Sequence, residues 1–347
     1  MKQVRPYAAV LAVILSTAAC ITIPASGPTE RPIDGPSRPA DTEMPLPDPT
    51  LPEPLVTVGT EEEYDVRHTL VVVNDGEATA TQVVLWVAMV RDAYPYQEVL
   101  STGVTPAAYE TITDEFDNLY AKFTFEDLAA GAQQVAQLDY RVRVNELSFD
   151  LGDCAGDLPD AFVMPESNVE SDAESVVSLA QTLGAGEATV CGQVRAFYDY
   201  VGDEMTYDGY SPDESGGLQA LETKLGDCTE FADAMLTLTR AAGVPARFVE
   251  GVTCCTDEGY IEGETKHDWL EVFLPGTGWA PMDPTWGRFP SDRDAYFAGM
   301  SPDHVVITQG RNLAVLDDYH YYYFQYWWGA EHTSISVRET WSVLEAE

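Results

Sequence analysis

The chain has 347 residues, enough for two domains of ordinary size, and a formal net charge of −40 from 58 acidic residues against 18 basic ones. So strong a negative charge repels nucleic acid and anionic lipid headgroups, which excludes both as partners recruited by electrostatics. Only four of the basic residues are lysine, a balance that fits a protein kept soluble at high salt and equally an acidic secreted protein.

The first 55 residues are predicted to direct export and then to act as a tether. Residues 1–19 are typical of a signal peptide, because basic residues precede an apolar run at 8–19 that is too short to span a bilayer. The run ends in small residues before Cys20, which resembles a lipobox with a lipidated cysteine, although Thr17 stands where leucine is usual. Residues 20–55 are rich in proline and predict a semi-rigid spacer. We therefore expect a lipoprotein on the extracellular face of the cell membrane, held there by its lipid anchor, with ordinary secretion as the alternative.

Residues 56–150 are predicted to form an immunoglobulin-like β-sandwich. The apolar run at 68–73 leads into a turn at Asn74-Asp75-Gly76, and further strands are predicted at 81–90, 120–125 and 136–144. Short strands separated by turns, with no clear helix among them, are typical of that fold. Since no set of catalytic groups occurs in this region, we expect a packing or spacing module.

From residue 151 the pattern becomes helical, and residues 151–347 are predicted to form one catalytic domain. Apolar residues recur at helical spacing over 171–183, 190–205 and 229–242. Cys228 therefore lies at the N-terminus of a buried helix, where the helix dipole and a nearby imidazolium lower the pKa of a thiol. This placement predicts a nucleophile whose own N–H can stabilise an oxyanion. The alternative is a structural thiol at a helix start.

His267 and Asp283 supply the other parts of a thiol acyl-transfer site, a base and a carboxylate that orients it. His267 begins a predicted strand, turn residues follow at 275–278, and the chain then returns to Asp283. The two residues are sixteen positions apart, an even number, so a loop of odd length puts both on one face. A hairpin centred near Pro275 would place them directly opposite each other. The nearest rivals as orienting carboxylate are Asp268, expected on the opposite face, and Glu271, about 13 Å along the strand.

Four stretches together resemble the transglutaminase-like (papain-related) superfamily. They are Gly-Asp-Cys-Thr-Glu-Phe-Ala at 226–232, Arg-Ala-Ala-Gly-Val-Pro-Ala-Arg at 240–247, His-Asp-Trp-Leu-Glu-Val at 267–272, and Gly-Trp through Asp-Pro-Thr at 278–285. The resemblance covers about residues 170–287 and implies an α+β core, with helices packed on an antiparallel sheet or barrel. It implies that Cys228 is the nucleophile, His267 the general base and Asp283 the residue that orients it. A β-sandwich ahead of this core is also common among microbial exported members.

The remaining cysteines predict one disulfide. Export permits disulfides, and Cys154 with Cys191, which bracket the entry to the catalytic core, are the favoured pair. Cys254 and Cys255 are adjacent, so a bond between them would be strained and rare. We expect no metal and no cofactor, because the nearby histidine is already assigned and the acidic residues 257–264 lack the pattern of a calcium loop.

Two further features of the sequence each allow two interpretations. Tyr207 is a candidate second oxyanion donor, with a core tyrosine as the competing interpretation. The aromatic run at 319–328 most simply packs on a sheet face as a core strand, and the alternative is the wall of a substrate cleft. Residues 334–343 are predicted to add a last strand.

These observations predict an exported cysteine acyl-transfer enzyme that acts on peptide or protein amide bonds at the cell surface through a thioacyl intermediate. Water or an amine can resolve that intermediate, and a peptidase or amidase is slightly favoured over a transglutaminase. The competing hypothesis is a catalytically silent surface module that keeps the fold for binding or assembly. Loss of Cys228, His267 or Asp283 would have favoured that hypothesis, and all three are present.

Overall fold

A computed structural model of the chain describes residues 56–211, 214–254, 265–313, 316 and 322–346. The predicted signal peptide, Cys20 and the proline-rich tether lie outside these residues, as do Cys255 and the acidic stretch 257–264. Within the described residues, no helix is both long enough and apolar enough to cross a membrane.

Six strands form the first part of the described chain, and they follow an alternating pattern of burial. From Val66 to Val72 every second side chain is buried, as in a strand with one face on a core. The predicted turn ends the first strand, where the Asn74 side chain accepts the N–H of Gly76 at 3.1 Å. The strands are β1 (Val56–Asn74), β2 (Ala80–Met89), β3 (Gln97–Thr105), β4 (Glu110–Thr113), β5 (Leu119–Leu128) and β6 (Gln133–Phe149).

Four helices and two very short strands follow. The elements are α1 (Glu174–Leu183), α2 (Val190–Glu204), β7 (Thr206–Tyr207), α3 (Gly216–Thr223), β8 (Leu225–Gly226) and α4 (Cys228–Ala241). Three of these helices lie on the predicted helical runs. In α4 every residue from Glu230 to Arg240 is buried. This helix is therefore enclosed on all sides, and it is the element on which the others pack.

The last part of the chain supplies seven strands and a short 3-10 turn. They are β9 (Ala246–Thr253), β10 (Lys266–Leu274), β11 (Gly278–Met282), the turn Trp286–Arg288, β12 (Gly299–Met300), β13 (His304–Gln309), β14 (Tyr323–Gly329) and β15 (Ile335–Glu345). Four strands form an antiparallel sheet in the order β11-β10-β9-β13. Phe231 and Met235 of α4 share one apolar core with Phe248 and Leu270 of this sheet. The predicted α+β core is confirmed.

The β-sandwich takes strands from both ends of the described chain. One sheet has the order β12-β6-β1-β15 with β3 also paired to β6, and the other has the order β14-β2-β5-β4. Side chains of both sheets, such as Leu70, Leu85 and Leu138, fill one core. The two C-terminal strands, which the predicted boundary gave to a catalytic domain of residues 151–347, pair here with β2 and β1. An alternating pattern shows that a strand needs neighbours, but it does not say which ones.

The aromatic run provides an edge strand. β14 lies at the end of its sheet, and its residues are half-buried or exposed, with Trp327 39% and Trp328 51% exposed. The interpretation as a core strand is therefore wrong for β14, while Tyr322 just before it is buried in the core. Side chains of an edge strand can line a neighbouring surface.

Candidate active site

Cys228 is half-buried at the first position of α4, and side-chain caps fix the start of that helix. The Asp227 carboxylate accepts the N–H of Thr229 at 2.9 Å, and the Glu230 carboxylate accepts the N–H of Asp227 at 3.1 Å, the reciprocal pattern of a capping box. A side chain at Gly226 would not fit, because its Cβ would lie 2.2 Å from the Cβ of Glu230. The residues around Cys228 therefore determine where the helix begins.

Two hydrogen bonds join the start of α4 to β10. Thr229 Oγ1 donates to the Asp268 carboxylate at 2.7 Å. The N–H of Asp268 donates to the Cys228 sulphur. Because Asp268 directly follows His267, the thiol lies against the strand that carries the predicted base.

His267 and Asp283 are in direct contact. His267 Nε2 lies 2.7 Å from Asp283 Oδ2, and the two residues are 5% and 0% exposed. The other carboxylate oxygen of Asp283 accepts the N–H groups of Thr285 at 2.8 Å and Trp286 at 3.0 Å, which fixes the carboxylate in place. Because Nε2 of His267 is hydrogen-bonded to Asp283, Nδ1 is the ring nitrogen that can accept a proton from a thiol.

The two rival carboxylates have other partners. Asp268 binds Thr229 on the α4 side of the sheet, as expected for the opposite face. Glu271 accepts Arg247 Nε at 2.6 Å and Gln309 Nε2 at 2.7 Å. Of the three carboxylates, Asp283 is therefore the one that is hydrogen-bonded to His267.

The centre of the β10–β11 hairpin differs from the prediction by one residue, which changes each cross-strand partner by two residues and keeps the same side chains on one face. Leu274 pairs with Gly278 across a loop of three residues, so the loop is odd in length as expected, but the hairpin is centred at Gly276 rather than Pro275. Met282 pairs with Leu270. Asp283 follows one residue later and reaches His267 diagonally rather than from directly opposite.

His304 is a second histidine at the same carboxylate, and no sequence pattern predicted it. Its Nε2 lies 3.2 Å from Asp283 Oδ2, and its Nδ1 lies 2.8 Å from Asp303 Oδ1. The contact exists because β13, which begins at His304, pairs with β9 in the sheet. The one local signal was the acidic neighbour, Asp303, at the start of a strand.

The charges of Asp283 and His304 stabilise each other. Burial alone would raise the pKa of Asp283, but the charges and hydrogen bonds of His267 and His304 hold that pKa well below its usual range. Burial alone would lower the pKa of His304, yet Asp283 and Asp303 raise it to about 9. At neutral pH Asp283 is therefore a carboxylate and His304 an imidazolium.

The thiol does not behave as the sequence predicted. Burial raises the pKa of Cys228 well above its usual value, and the negative charges of Asp268 and Asp227 raise it further. The N–H of Asp268 opposes this effect without reversing it. The expected lowering of the pKa by the helix start is thus overcome by desolvation and nearby carboxylates. Cys228 rests as a neutral thiol, and its reaction requires a base.

The structure describes three other cysteines, and all three are disulfide-bonded. A disulfide joins Cys154 to Cys191, the pair favoured from the sequence, and ties the segment before α1 to the first turn of α2. Cys254 is also disulfide-bonded, to a residue outside those described.

Tyr207 is 40% exposed and lies under the Arg288 guanidinium, 5.0 Å from the ring centroid, so it is not a core tyrosine.

An aromatic groove of about 600 Å³ lies beside the candidate site. Lys266, which directly precedes His267, lies 4.5 Å from the ring centroid of Tyr322 and pairs with Glu339. The Tyr322 hydroxyl donates to the Gly251 carbonyl at 2.5 Å, and Gly251 pairs with His267 across β9 and β10, so this wall is near His267. The position of the groove favours the alternative interpretation of the aromatic run as a cleft wall. Its lining is Tyr210, Lys266, Tyr322, Tyr323, Phe324, Gln325 and Glu339.

Among the residues that the structure describes, His267, Asp283 and His304 are the one group arranged like metal ligands, with ligand atoms within 4.8 Å of one another. One oxygen of Asp283 meets both rings at hydrogen-bond distances, 2.7 and 3.2 Å. An imidazolium has no lone pair for a metal. The group therefore fits a hydrogen-bonded cluster better than a metal site.

Residues 177–284 match the family model of the transglutaminase-like superfamily, a range that contains Cys228, His267 and Asp283. The uncharacterized protein YebA of Bacillus subtilis (strain 168) is 34% identical over 163 residues, which are 42% of this chain and 21% of YebA. A protein-glutamine gamma-glutamyltransferase of Pseudomonas aeruginosa is 34% identical over 70 residues, which are 19% of this chain and 10% of that protein. The chain thus spans about a fifth or less of the length of these curated relatives.

A solved structure from Cytophaga hutchinsonii, described as a candidate cysteine protease, resembles most of the chain. It covers 84% of this chain and 94% of its own, with a TM-score of 0.58 and 15% sequence identity. At that identity the likeness concerns the fold. Residues 177–284 therefore form a transglutaminase-like core.

Proposed function

We propose that the protein is a cysteine acyl-transfer enzyme that acts on peptide or protein amide bonds. Cys228 is the nucleophile, His267 the general base and Asp283 the carboxylate that orients the base. The observation that carries this proposal is the buried bond of 2.7 Å between His267 Nε2 and Asp283 Oδ2, on the strand that contacts the helix beginning at Cys228. The match of residues 177–284 to the superfamily supports it.

Acylation begins with transfer of the thiol proton. His267 takes this proton as the Cys228 sulphur attacks the amide carbonyl, and the N–H of Cys228 donates to the developing oxyanion. His267 then gives the proton to the leaving amine, the C–N bond breaks, and a thioester joins the acyl group to Cys228. Asp283 stabilises the imidazolium that forms between these steps. Because the pKa of Cys228 is raised, proton transfer accompanies the attack.

Water or an amine completes the cycle by attacking the thioester, which restores the thiol. We favour water slightly, and therefore a peptidase or amidase over a transamidating enzyme. The relatives differ on this point, since one is named a gamma-glutamyltransferase and another is described as a candidate cysteine protease. Product analysis in the presence of a primary amine separates the two: hydrolysis gives the free acid, and transamidation gives a new amide.

We also propose that the enzyme works outside the cell, tethered to the membrane. The support is the apolar segment at residues 8–19, the small residues before Cys20 and the proline-rich stretch that follows. Its substrate would then be a peptide or protein at the cell surface. Mass spectrometry of the N-terminus of the mature protein tests this, because lipidation predicts a diacylated or triacylated Cys20 as the first residue.

The main experiment compares thiol labelling of wild type and Cys228→Ala by iodoacetamide and by a thiol-directed acyl probe. We expect the acyl probe to label wild type and not the variant, and mass spectrometry to place the adduct on Cys228. A screen of peptide amides with and without amine acceptors then identifies the acyl donor. Equal labelling of both proteins, with no turnover in the screen, would support the catalytically silent surface module instead.

A further inference from the structure

Asp283 is shared between two histidines, and only His267 has a role in the proposed reaction. His304 Nε2 lies 3.2 Å from the oxygen that His267 contacts, and His304 Nδ1 lies 2.8 Å from Asp303 Oδ1. The His304 side chain is fully buried. A neutral imidazole donates from one nitrogen only, so a ring with a carboxylate at each nitrogen is satisfied on both sides only as the imidazolium.

The titratable groups that face His304 come from several elements. Asp283 and His267 approach from the β10–β11 hairpin, and Asp303 precedes β13. The ring of Tyr296 lies 5.8 Å away between centroids, and the hydroxyl of Tyr96, from the β-sandwich, donates to the His304 carbonyl at 2.7 Å. Against the effect of burial, the two carboxylates raise the pKa of His304 to about 9. Indole rings of Trp269 and Trp286 also contact the imidazole.

We propose that His304 is a positioning residue: as a buried cation it holds the Asp283 carboxylate toward His267 and places a positive charge beside the Cys228–His267 pair. This inference rests on the proposed function of Cys228 and His267. His304 touches no substrate and no reacting atom, and it acts through Asp283.

A neutral base is needed because Cys228 is not ionised in advance. Burial raises the pKa of its thiol, so attack requires a group that accepts the proton. The rings of His267 and His304 have centroids 5.3 Å apart, where two positive charges repel each other appreciably.

Removal of the His304 charge should shift the pH dependence of Cys228 reactivity in a definite direction. When a nearby cation is lost, each proton of the Cys228–His267 pair is held more tightly and leaves at higher pH. His304→Gln keeps an N–H donor and loses the charge. We expect the pH dependence of Cys228 reactivity to move upward by about one unit. The variant should react about tenfold more slowly below the midpoint and at the wild-type rate well above it.

The test is the rate at which iodoacetamide labels Cys228 across pH, in the full chain and without any substrate. Asp303→Asn serves as a second variant, because the Asp303 side chain is 29% exposed and the change is tolerated more easily; it removes one of the two carboxylates that hold the proton of His304, so the His304 ring should lose its second proton at a lower pH than in wild type. The matched control is His68→Gln. His68 is equally buried, with Nε2 2.8 Å from Glu339, but it lies in the β-sandwich away from Asp283, so its loss should leave the midpoint unchanged. A uniform loss of rate at every pH, or an unmoved midpoint, overturns the role of His304.

Nitrogen-15 NMR of the histidine rings in Cys228→Ala gives a readout that needs no activity. We expect one ring to carry protons on both nitrogens from pH 6 to about 9, and this signal to be missing when His304→Gln is added. A neutral His304 ring at pH 7 overturns the inference. Failure of the proposed function looks different: labelling is then equal in wild type and Cys228→Ala, whatever the charge on His304.

Discussion

Asp283 is the residue on which the candidate site converges, since His267, His304 and two backbone N–H groups all bind its carboxylate. Asp283→Asn keeps the size but removes the charge and presents an N–H to at least one of these donors. We expect kcat/KM to fall by a factor on the order of 10³ to 10⁴, as when the carboxylate of a triad becomes an amide. Steady-state kinetics on the identified substrate check this. A loss of less than about tenfold would remove Asp283 from the proposed mechanism.

His304 also links stability to pH. Its pKa is raised from an unfolded value near 6.5 to about 9 in the folded protein, so the stabilisation is fully present below about 6.5 and is lost as pH rises through about 9. The effect is on the order of 3 kcal/mol. Urea unfolding of wild type and His304→Gln should show a difference at pH 6 that shrinks by this amount at pH 10. The difference in unfolding free energy between wild type and His68→Gln should change in the acidic range instead, because burial lowers the pKa of His68.

Three residues of the site could be predicted from the sequence and the fourth could not. Cys228, His267 and Asp283 each carry a local signal, a helix start, a strand start and a turn before proline. His304 meets Asp283 because of the order of strands in the sheet. The raised pKa of Cys228 was also not predictable, because it depends on burial and on Asp268, which only the packing of α4 on β10 brings to the sulphur.

At the scale of elements, the bond between Thr229 and Asp268 ties α4, which begins at Cys228, to β10, which carries His267. Thr229→Val keeps the shape of the side chain and removes the donor, which leaves a buried carboxylate short of a partner. We expect unfolding free energy to fall by about 1–2 kcal/mol and kcat/KM by about tenfold, since a small displacement of the thiol is costly in rate.

The matched control for this variant is Thr237→Val. Thr237 lies on the same helix and is fully buried, but its hydroxyl has no hydrogen-bond partner in the part of the chain that the structure describes. Its replacement should leave both stability and kcat/KM close to wild type. Equal effects of the two substitutions would show that the tie to Asp268 is not what positions α4.

Most elements were predictable because burial in them follows the period of a helix or strand. The helical runs predicted at 190–205 and 229–242 differ from α2 and α4 by one residue at the ends. The predicted centre of the hairpin is one residue away from the observed one because turn residues extend over 275–278, and several centres agree with such a run. The sequence of a strand carries no comparable local signal for the strand that it pairs with.

At the scale of the whole molecule, the disulfide between Cys154 and Cys191 closes a loop of 37 residues around α1. In the chain-entropy account, a loop of this length stabilises the folded state by about 4 kcal/mol. The double variant Cys154→Ala with Cys191→Ala should therefore unfold at a clearly lower urea concentration. Because the disulfide does not contact the triad, thiol labelling of Cys228 under native conditions should persist. An unchanged unfolding midpoint would contradict this prediction.

The chain returns from the transglutaminase-like core to the β-sandwich through β14 and β15, so the two parts are not two consecutive segments of the sequence. β15 pairs with β1 from Tyr64 opposite Glu345 to Asn74 opposite Ile335, and β14 pairs with β2. A fragment of residues 56–150 lacks both partners and exposes long strand edges, while a fragment of 151–346 carries two strands without their sheets. We therefore expect each fragment to be unfolded or aggregated when it is produced alone, and residues 56–346 to fold.

Circular dichroism, size-exclusion chromatography and dispersion of amide NMR signals distinguish these outcomes, and co-expression of the two fragments adds a positive control. The two pieces should recover solubility together, since the missing strands can then pair across the break. A monomeric, cooperatively folded 151–346 with a reactive Cys228 would contradict the prediction. It would mean that β14 and β15 fold without β1 and β2, and that the core is a domain independent of the sandwich strands it completes.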